Sequence, residues 1–103
     1  MLPLEAVIAI EHARMQRTRR VAADSIAITD GLAFRHPTGP WLNVALGIGL
    51  SQEPSDADVK RLIQFHAEVD KDARVDLADQ ASPAYGKLLA AHNFRLAHVS
   101  SLL

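Results

Sequence analysis

The segment 4–20 repeats apolar side chains at helical spacing. Leu4, Val7, Ile8 and Met15 recur near the helical period, among residues that are mostly strong helix formers. Arginines crowd the end of the segment, where positive charge compensates the helix dipole. The pattern therefore predicts an amphipathic first helix.

Two β-prone runs, 25–29 and 32–36, come next and flank an Asp-Gly dipeptide at 30–31. This dipeptide is a strong hairpin signal, although a bend before one strand fits equally well. After a Pro-Thr-Gly-Pro turn, the mostly apolar run 41–50 predicts a central strand covered on both faces. Trp41, at its start, is interpreted as a core anchor in preference to an exposed ligand contact.

A capping pattern opens the second half of the chain. Ser55 with Asp58 three positions later predicts a helix start, and the helical pattern continues over 59–69. The buried stripe of this helix would consist of Val59, Leu62, Ile63, His66 and Val69. A short alternating strand over 73–78 follows the helix.

Ser82 followed by Pro83 predicts the N-terminus of a further helix, because proline suits the first helical position. The buried stripe of this helix would consist of Tyr85, Leu88, Leu89 and His92. Asn93 can adopt the left-handed conformation that ends the helix, and 94–103 forms the last predicted strand.

These elements predict one domain over 1–103. With 25–36 counted as a single bent strand, their order is α-β-β-α-β-α-β. The fold class is then α+β, an α/β sandwich around a central mixed sheet. Short connections favour packing of neighbours in sequence side by side.

Charge and composition narrow the function classes. Eleven basic and twelve acidic side chains give a net charge of −1, which argues against a nucleic-acid partner. The absence of cysteine excludes disulfides and thiol catalysis. Neither a leader nor an apolar run of about 20 residues is found, so we expect a cytoplasmic protein without a membrane partner.

The histidine, arginine and acidic clusters of the sequence are interpreted as structural or solvated groups, not as binding sites. The five histidines lack His-x-x-x-His spacing, so no metal site is predicted. The arginines of the first helix are interpreted as a solvated helix end, in preference to a phosphate site. The acidic stretch around 68–79 is interpreted as a solvated edge, in preference to a calcium site.

From Gly31 to Leu103 the chain resembles the GNAT family of N-acetyltransferases, especially the amino-terminal half of proteins with two GNAT-like domains. The similar features are the strand Leu42-Asn43-Val44-Ala45-Leu46-Gly47-Ile48-Gly49-Leu50, a capped helix, the short strand Val75-Asp76-Leu77-Ala78, and the helix end Leu88-Leu89-Ala90-Ala91-His92-Asn93-Phe94. The resemblance implies a GNAT-like fold and acetyl-coenzyme A as the cofactor of active members.

Two departures from the family pattern affect the implied activity. Active members hold the coenzyme A pyrophosphate on a glycine-rich loop after the central strand. Here the matching loop, 51–58, lacks glycine and carries a proline and three carboxylates. The tyrosine that protonates the departing thiolate in many relatives corresponds to Leu89. The glycine before the phenylalanine is Asn93, a replacement that a left-handed conformation tolerates.

The resemblance therefore implies a degenerate acetyltransferase domain that contributes structure or a substrate cleft, while a partner domain carries out acetyl transfer. The partner would be a second GNAT domain or a homodimer partner. One alternative is a minimal active acetyltransferase, in which Val44, Gly47 and Gly49 would contact acetyl-coenzyme A. Another is a non-enzymatic module that dimerises through its C-terminal strand. No catalytic residue is assigned, and no cofactor is expected for this chain alone.

Overall fold

The computed structural model describes residues 3–78 and 80–95. Within these ranges the chain forms three α-helices, three β-strands and one short 3-10 turn over Pro40–Leu42. The helices are α1 (Leu4–Val21), α2 (Asp56–Ala67) and α3 (Pro83–Ala91), and the strands are β1 (Asp24–Ile28), β2 (Gly31–Arg35) and β3 (Val44–Leu46). The predicted α+β class is confirmed.

The three strands form an antiparallel sheet in the order β1-β2-β3. Ile28 pairs with Gly31, so β1 and β2 form a hairpin and the turn consists of Thr29 and Asp30. The hairpin alternative of the sequence prediction is thus the right one. Among the described residues, the parallel pairing expected of a mixed sheet is found as one isolated bridge, between Ala45 and Val75.

Helices cover the sheet on both faces because the side chains of β2 and β3 alternate. Phe34 packs with Met15 of α1 on one face. Ala33 and Ala45, which are paired in register, pack on the other face with residues of α2 and α3. The small alanines allow these two helices to approach the strands closely. No helix in the described ranges is long and apolar enough to cross a membrane.

The predicted strand over 41–50 is wrong in length, because only Val44–Leu46 is extended. The 3-10 turn occupies the beginning of the run, and Gly47 and Gly49 have φ values of 73° and 85°, which end the strand. Trp41 is 67% exposed, so its interpretation as a core anchor is also wrong.

The strand predicted over 73–78 is reduced to the single bridge at Val75. Phe94 and Arg95 are not in a strand, and the remainder of the predicted last strand, 96–103, lies outside the described residues.

The structure confirms two of the three predicted helix-end signals in full and the third only in its position. Ser55 and Asp58 form the full capping box: the Asp58 N–H donates to Ser55 Oγ at 3.2 Å, and the Ser55 N–H donates to Asp58 Oδ2 at 2.8 Å. Asn93 has a φ of 67°, as predicted for the residue that ends α3. Ser82 occupies the N-cap position of α3, but its side chain makes no capping hydrogen bond.

Candidate functional site

Three consecutive backbone amides converge on one carboxylate in the loop after β3. The Gly49 N–H donates to Asp30 Oδ1 at 2.8 Å. The N–H groups of Leu50 and Ser51 donate to Asp30 Oδ2 at 3.0 and 2.7 Å. We call residues 49–51 the amide nest, since successive amides of this kind form a concavity that suits an anion.

Contacts other than those with Asp30 also hold the amide nest in place. The Gly49 carbonyl accepts a hydrogen bond of 2.9 Å from the Ser82 N–H at the start of α3. A Cβ atom on Gly49 would lie 2.9 Å from the Tyr85 ring, so this backbone is packed directly against α3. At Gly47 the nearest contact is with Met15 of α1. The nest is therefore fixed between two helices.

A second carboxylate, Asp58, lies at the start of α2 beside the same hairpin turn. Its Oδ2 atom accepts hydrogen bonds from the Thr29 hydroxyl at 3.0 Å and from the Ser55 N–H at 2.8 Å. The bond from the Ser55 backbone, supported by Thr29, lowers the pKa of the Asp58 carboxyl below its usual value. Asp58 is therefore ionised at neutral pH and joins the turn to α2.

The Tyr85 hydroxyl lies in the interior close to these groups. Tyr85 is only 2% exposed, and its oxygen has no hydrogen-bond partner within the described residues. Burial raises the pKa of the Tyr85 phenol, and the negative charges of Asp30 and Asp58 raise it further. The phenol therefore stays protonated throughout the neutral range.

An open cleft of about 350 Å³ lies between α1 and the hairpin, and Asp30 is part of its wall. His12 and Gln16 contribute exposed polar side chains from α1. The full lining consists of His12, Met15, Gln16, Ala27, Thr29, Asp30, Gly31 and Leu32. Asp30 thus takes part both in the amide nest and in the wall of a solvent-accessible cleft.

The residues predicted to contact acetyl-coenzyme A in an active enzyme lie in and after β3. Val44, Gly47 and Gly49 are all buried. Ala45, the central residue of β3, uses both backbone groups in the bridge, since its N–H donates to Arg74 O and its carbonyl accepts from the Asp76 N–H. Leu89, at the position of the family's tyrosine, is buried in the core.

Two carboxylates of the loop 51–58 make hydrogen bonds to residues at the two ends of α3. Glu53 Oε1 accepts from the Ser82 hydroxyl at 3.0 Å, and Asp56 Oδ1 lies 2.6 Å from His92 Nε2. The hydrogen bond with His92, together with that of Lys60, lowers the pKa of Asp56. Glu53 and Asp56 therefore connect the loop to α3 through Ser82 and His92.

The sequence interpretation missed the tertiary contacts of Asp30 and the burial of Glu11. Asp30 was identified only as a turn residue, and no local pattern indicates its bonds to a loop about twenty positions away. Glu11 lies one helical turn from both Val7 and Met15, so a carboxylate on the buried face of α1 was visible in the periodicity.

Within the described ranges, no group of three or more histidine or carboxylate side chains is placed to hold a metal ion. Searches with the sequence and the fold find no protein-family model, no curated protein and no solved structure that matches this chain significantly.

Proposed function

We propose that this chain is a GNAT-like domain that does not itself transfer acetyl groups. It would instead contribute structure or the wall of a substrate cleft to acetyl-coenzyme A-dependent transfer by a partner domain. The observation that carries this proposal is the occupation of the amide nest by the Asp30 carboxylate.

The proposal follows from competition for backbone donors. A pyrophosphate bound after the middle strand needs free amide N–H groups. Here the first three amides after Ile48 already donate to a carboxylate of the same chain. A second anion at this point would be repelled by Asp30 and would compete for the same N–H groups, so the cofactor loses its principal contact.

The packing around β3 also favours this proposal over a minimal active enzyme. That alternative requires backbone groups near Gly47 and Gly49 to bind the pantetheine chain. The Gly49 carbonyl is bonded to the Ser82 N–H, and Ala45 pairs with the 74–76 segment. With Leu89 in the core, the position of the family's general acid carries no ionisable group.

Isothermal titration calorimetry with acetyl-coenzyme A tests the proposal. We expect no binding at ligand concentrations up to about 1 mM, which corresponds to a binding free energy weaker than about 4 kcal/mol. A parallel assay for thiol release with a panel of primary amines should remain at the background rate.

An active N-acetyltransferase measured under the same conditions serves as the positive control. A dissociation constant in the low micromolar range would contradict the proposal and favour the minimal enzyme. Thiol release that depends on both the protein and an amine would contradict it equally.

A further inference from the structure

We propose that the amide nest is an anion-binding site whose resident anion is the Asp30 carboxylate. The ligand class is a small oxyanion, with formate and acetate as the simplest members. In the native chain the side chain of Asp30 occupies the site. When that carboxylate is removed, a free carboxylate should enter from the cleft and take its place.

The first argument is the geometry of the bonds. Both oxygens of Asp30 are used, one by Gly49 and the other by Leu50 and Ser51, at N···O distances of 2.7–3.0 Å. These are the distances of charge-assisted hydrogen bonds. Three amides from consecutive residues thus enclose a carboxylate from two directions, as they would enclose a free ion.

The second argument is that the nest does not depend on Asp30 for its shape. The left-handed conformation of Gly49 turns the backbone, and the Tyr85 ring packs against that glycine. The bond from the Ser82 N–H to the Gly49 carbonyl fixes the loop on the side of α3. The bonds of Gly49 and Leu50 to Asp30 are partly buried, and that of Ser51 is exposed. Loss of Asp30 would therefore leave the N–H groups of Gly49 and Leu50 without an acceptor in a partly buried place, which favours a new acceptor there.

The third argument concerns access and charge. Asp30 belongs to the wall of the cleft between α1 and the hairpin, so the space left by a shorter side chain opens towards solvent. The nearby Asp58 carboxylate is negative, but its Oδ2 atom already accepts hydrogen bonds from the Thr29 hydroxyl and the Ser55 N–H. A singly charged ion is therefore favoured over a multiply charged one.

Chemical rescue of Asp30→Ala tests the inference. The variant should melt at a lower temperature than the native chain, and formate should restore part of the loss. Formate at ten times its dissociation constant should raise the Tm by about 6 °C, because binding to the folded state alone stabilises it. In ¹⁵N spectra, the amide signals of Gly49, Leu50 and Ser51 should shift and saturate together.

Asp24→Ala is the matched control, because Asp24 is a carboxylate on the same hairpin that binds one backbone N–H and the Arg35 guanidinium. Its Tm, like that of the native chain, should respond to formate no more than to chloride at equal ionic strength. Equal responses of Asp30→Ala and Asp24→Ala would contradict the inference. So would unsaturable shifts of the three amide signals.

If Asp30→Ala is unfolded without added salt, the test remains decisive. Recovery of the native spectrum with formate, and not with chloride, would support the inference, and failure to recover would contradict it. These outcomes are independent of the proposed function, which fails only if the native chain binds acetyl-coenzyme A or transfers acetyl groups.

Discussion

At the scale of single residues, Glu11 is a carboxylate buried at an energetic cost. It is 6% exposed on the inner face of α1, and its Oε2 atom has no partner within the described residues. Arg14 Nη1 lies 3.9 Å from the other oxygen. Burial raises the pKa of the Glu11 carboxyl above its usual 4.5 in spite of Arg14.

Glu11→Gln should therefore stabilise the protein at neutral pH, because the neutral amide avoids the cost of burying a charge at this position. The contribution of native Glu11 to the free energy of unfolding is fully present below pH 4.5, where its carboxyl is protonated in both states. This contribution is lost as the pH rises through the higher pKa of the folded state. The gain from glutamine should thus shrink towards acidic pH. Urea denaturation at several pH values measures it.

Glu5→Gln is the control for Glu11→Gln, because Glu5 is exposed in the first turn of the same helix. This substitution should be neutral or slightly destabilising at pH 7, since it removes a charge that suits the helix dipole. A gain in stability as large as that of Glu11→Gln would contradict the argument from burial.

His66 should produce the opposite dependence on pH. It is fully buried, and Nε2 lies 2.9 Å from the Phe34 carbonyl, so this nitrogen carries the proton and donates it. Nδ1 has no partner in the described part of the chain. Burial lowers the pKa of His66 below 6.5, and the charges of Arg35 and Arg74 lower it further.

The contribution of neutral His66 to the free energy of unfolding should be fully present above pH 6.5. It should decrease as the pH falls below that value. The slope approaches about 1.4 kcal/mol per pH unit while only the unfolded state binds the proton. His66→Gln keeps a donor for Phe34 and should flatten this part of the profile. An unchanged slope just below pH 6.5 would contradict the assignment.

At the scale of elements, the sequence predicts best where the determining residues are close together. The Ser55–Asp58 capping box, the hairpin around Asp30 and the end of α3 at Asn93 each depend on a few adjacent positions. The strand predicted over 41–50 fails, because periodicity does not register the left-handed glycines at 47 and 49.

Ser55→Ala should destabilise the protein by about 1 kcal/mol, because the Asp58 N–H loses its acceptor at the start of α2. Ser82→Ala is the matched control at the N-cap position of α3. The Ser82 side chain makes no capping bond and instead donates to the exposed Glu53, so its removal should cost less than half as much. Urea denaturation of both variants checks the difference, and equal losses would contradict it.

At the scale of the whole molecule, local patterns do not indicate the contacts that join distant segments, in the candidate site or elsewhere. Asp30 binds amides 19–21 positions further along the chain, and Arg35 joins Asp24 of β1 to Glu68 at the end of α2. A turn aspartate and a strand arginine are ordinary in sequence. Their partners are determined only when the hairpin, the loop after β3 and α2 are packed together.

Gly49 contacts both Asp30 of the hairpin turn and the start of α3, so its replacement tests how the loop after β3 is packed. Gly49→Ala would place a side chain at a φ of 85° and a Cβ atom 2.9 Å from the Tyr85 ring. The left-handed conformation costs about 1–2 kcal/mol and the overpacking about 1–3 kcal/mol. We expect a loss of about 3 kcal/mol in urea denaturation. The amide signals of Leu50 and Ser51 should move, because they follow Gly49 in the nest.

Gly86→Ala is the matched control for Gly49→Ala. Gly86 lies inside α3, and a Cβ atom there would meet nothing within 4 Å. Alanine is the better helix former, so this variant should gain about 0.5–1 kcal/mol. Opposite signs at the two glycines would show that the left-handed backbone and the packing at Gly49 hold the nest in shape. A neutral Gly49→Ala would instead mean that the loop adapts easily, and the preformed nest would then be contradicted.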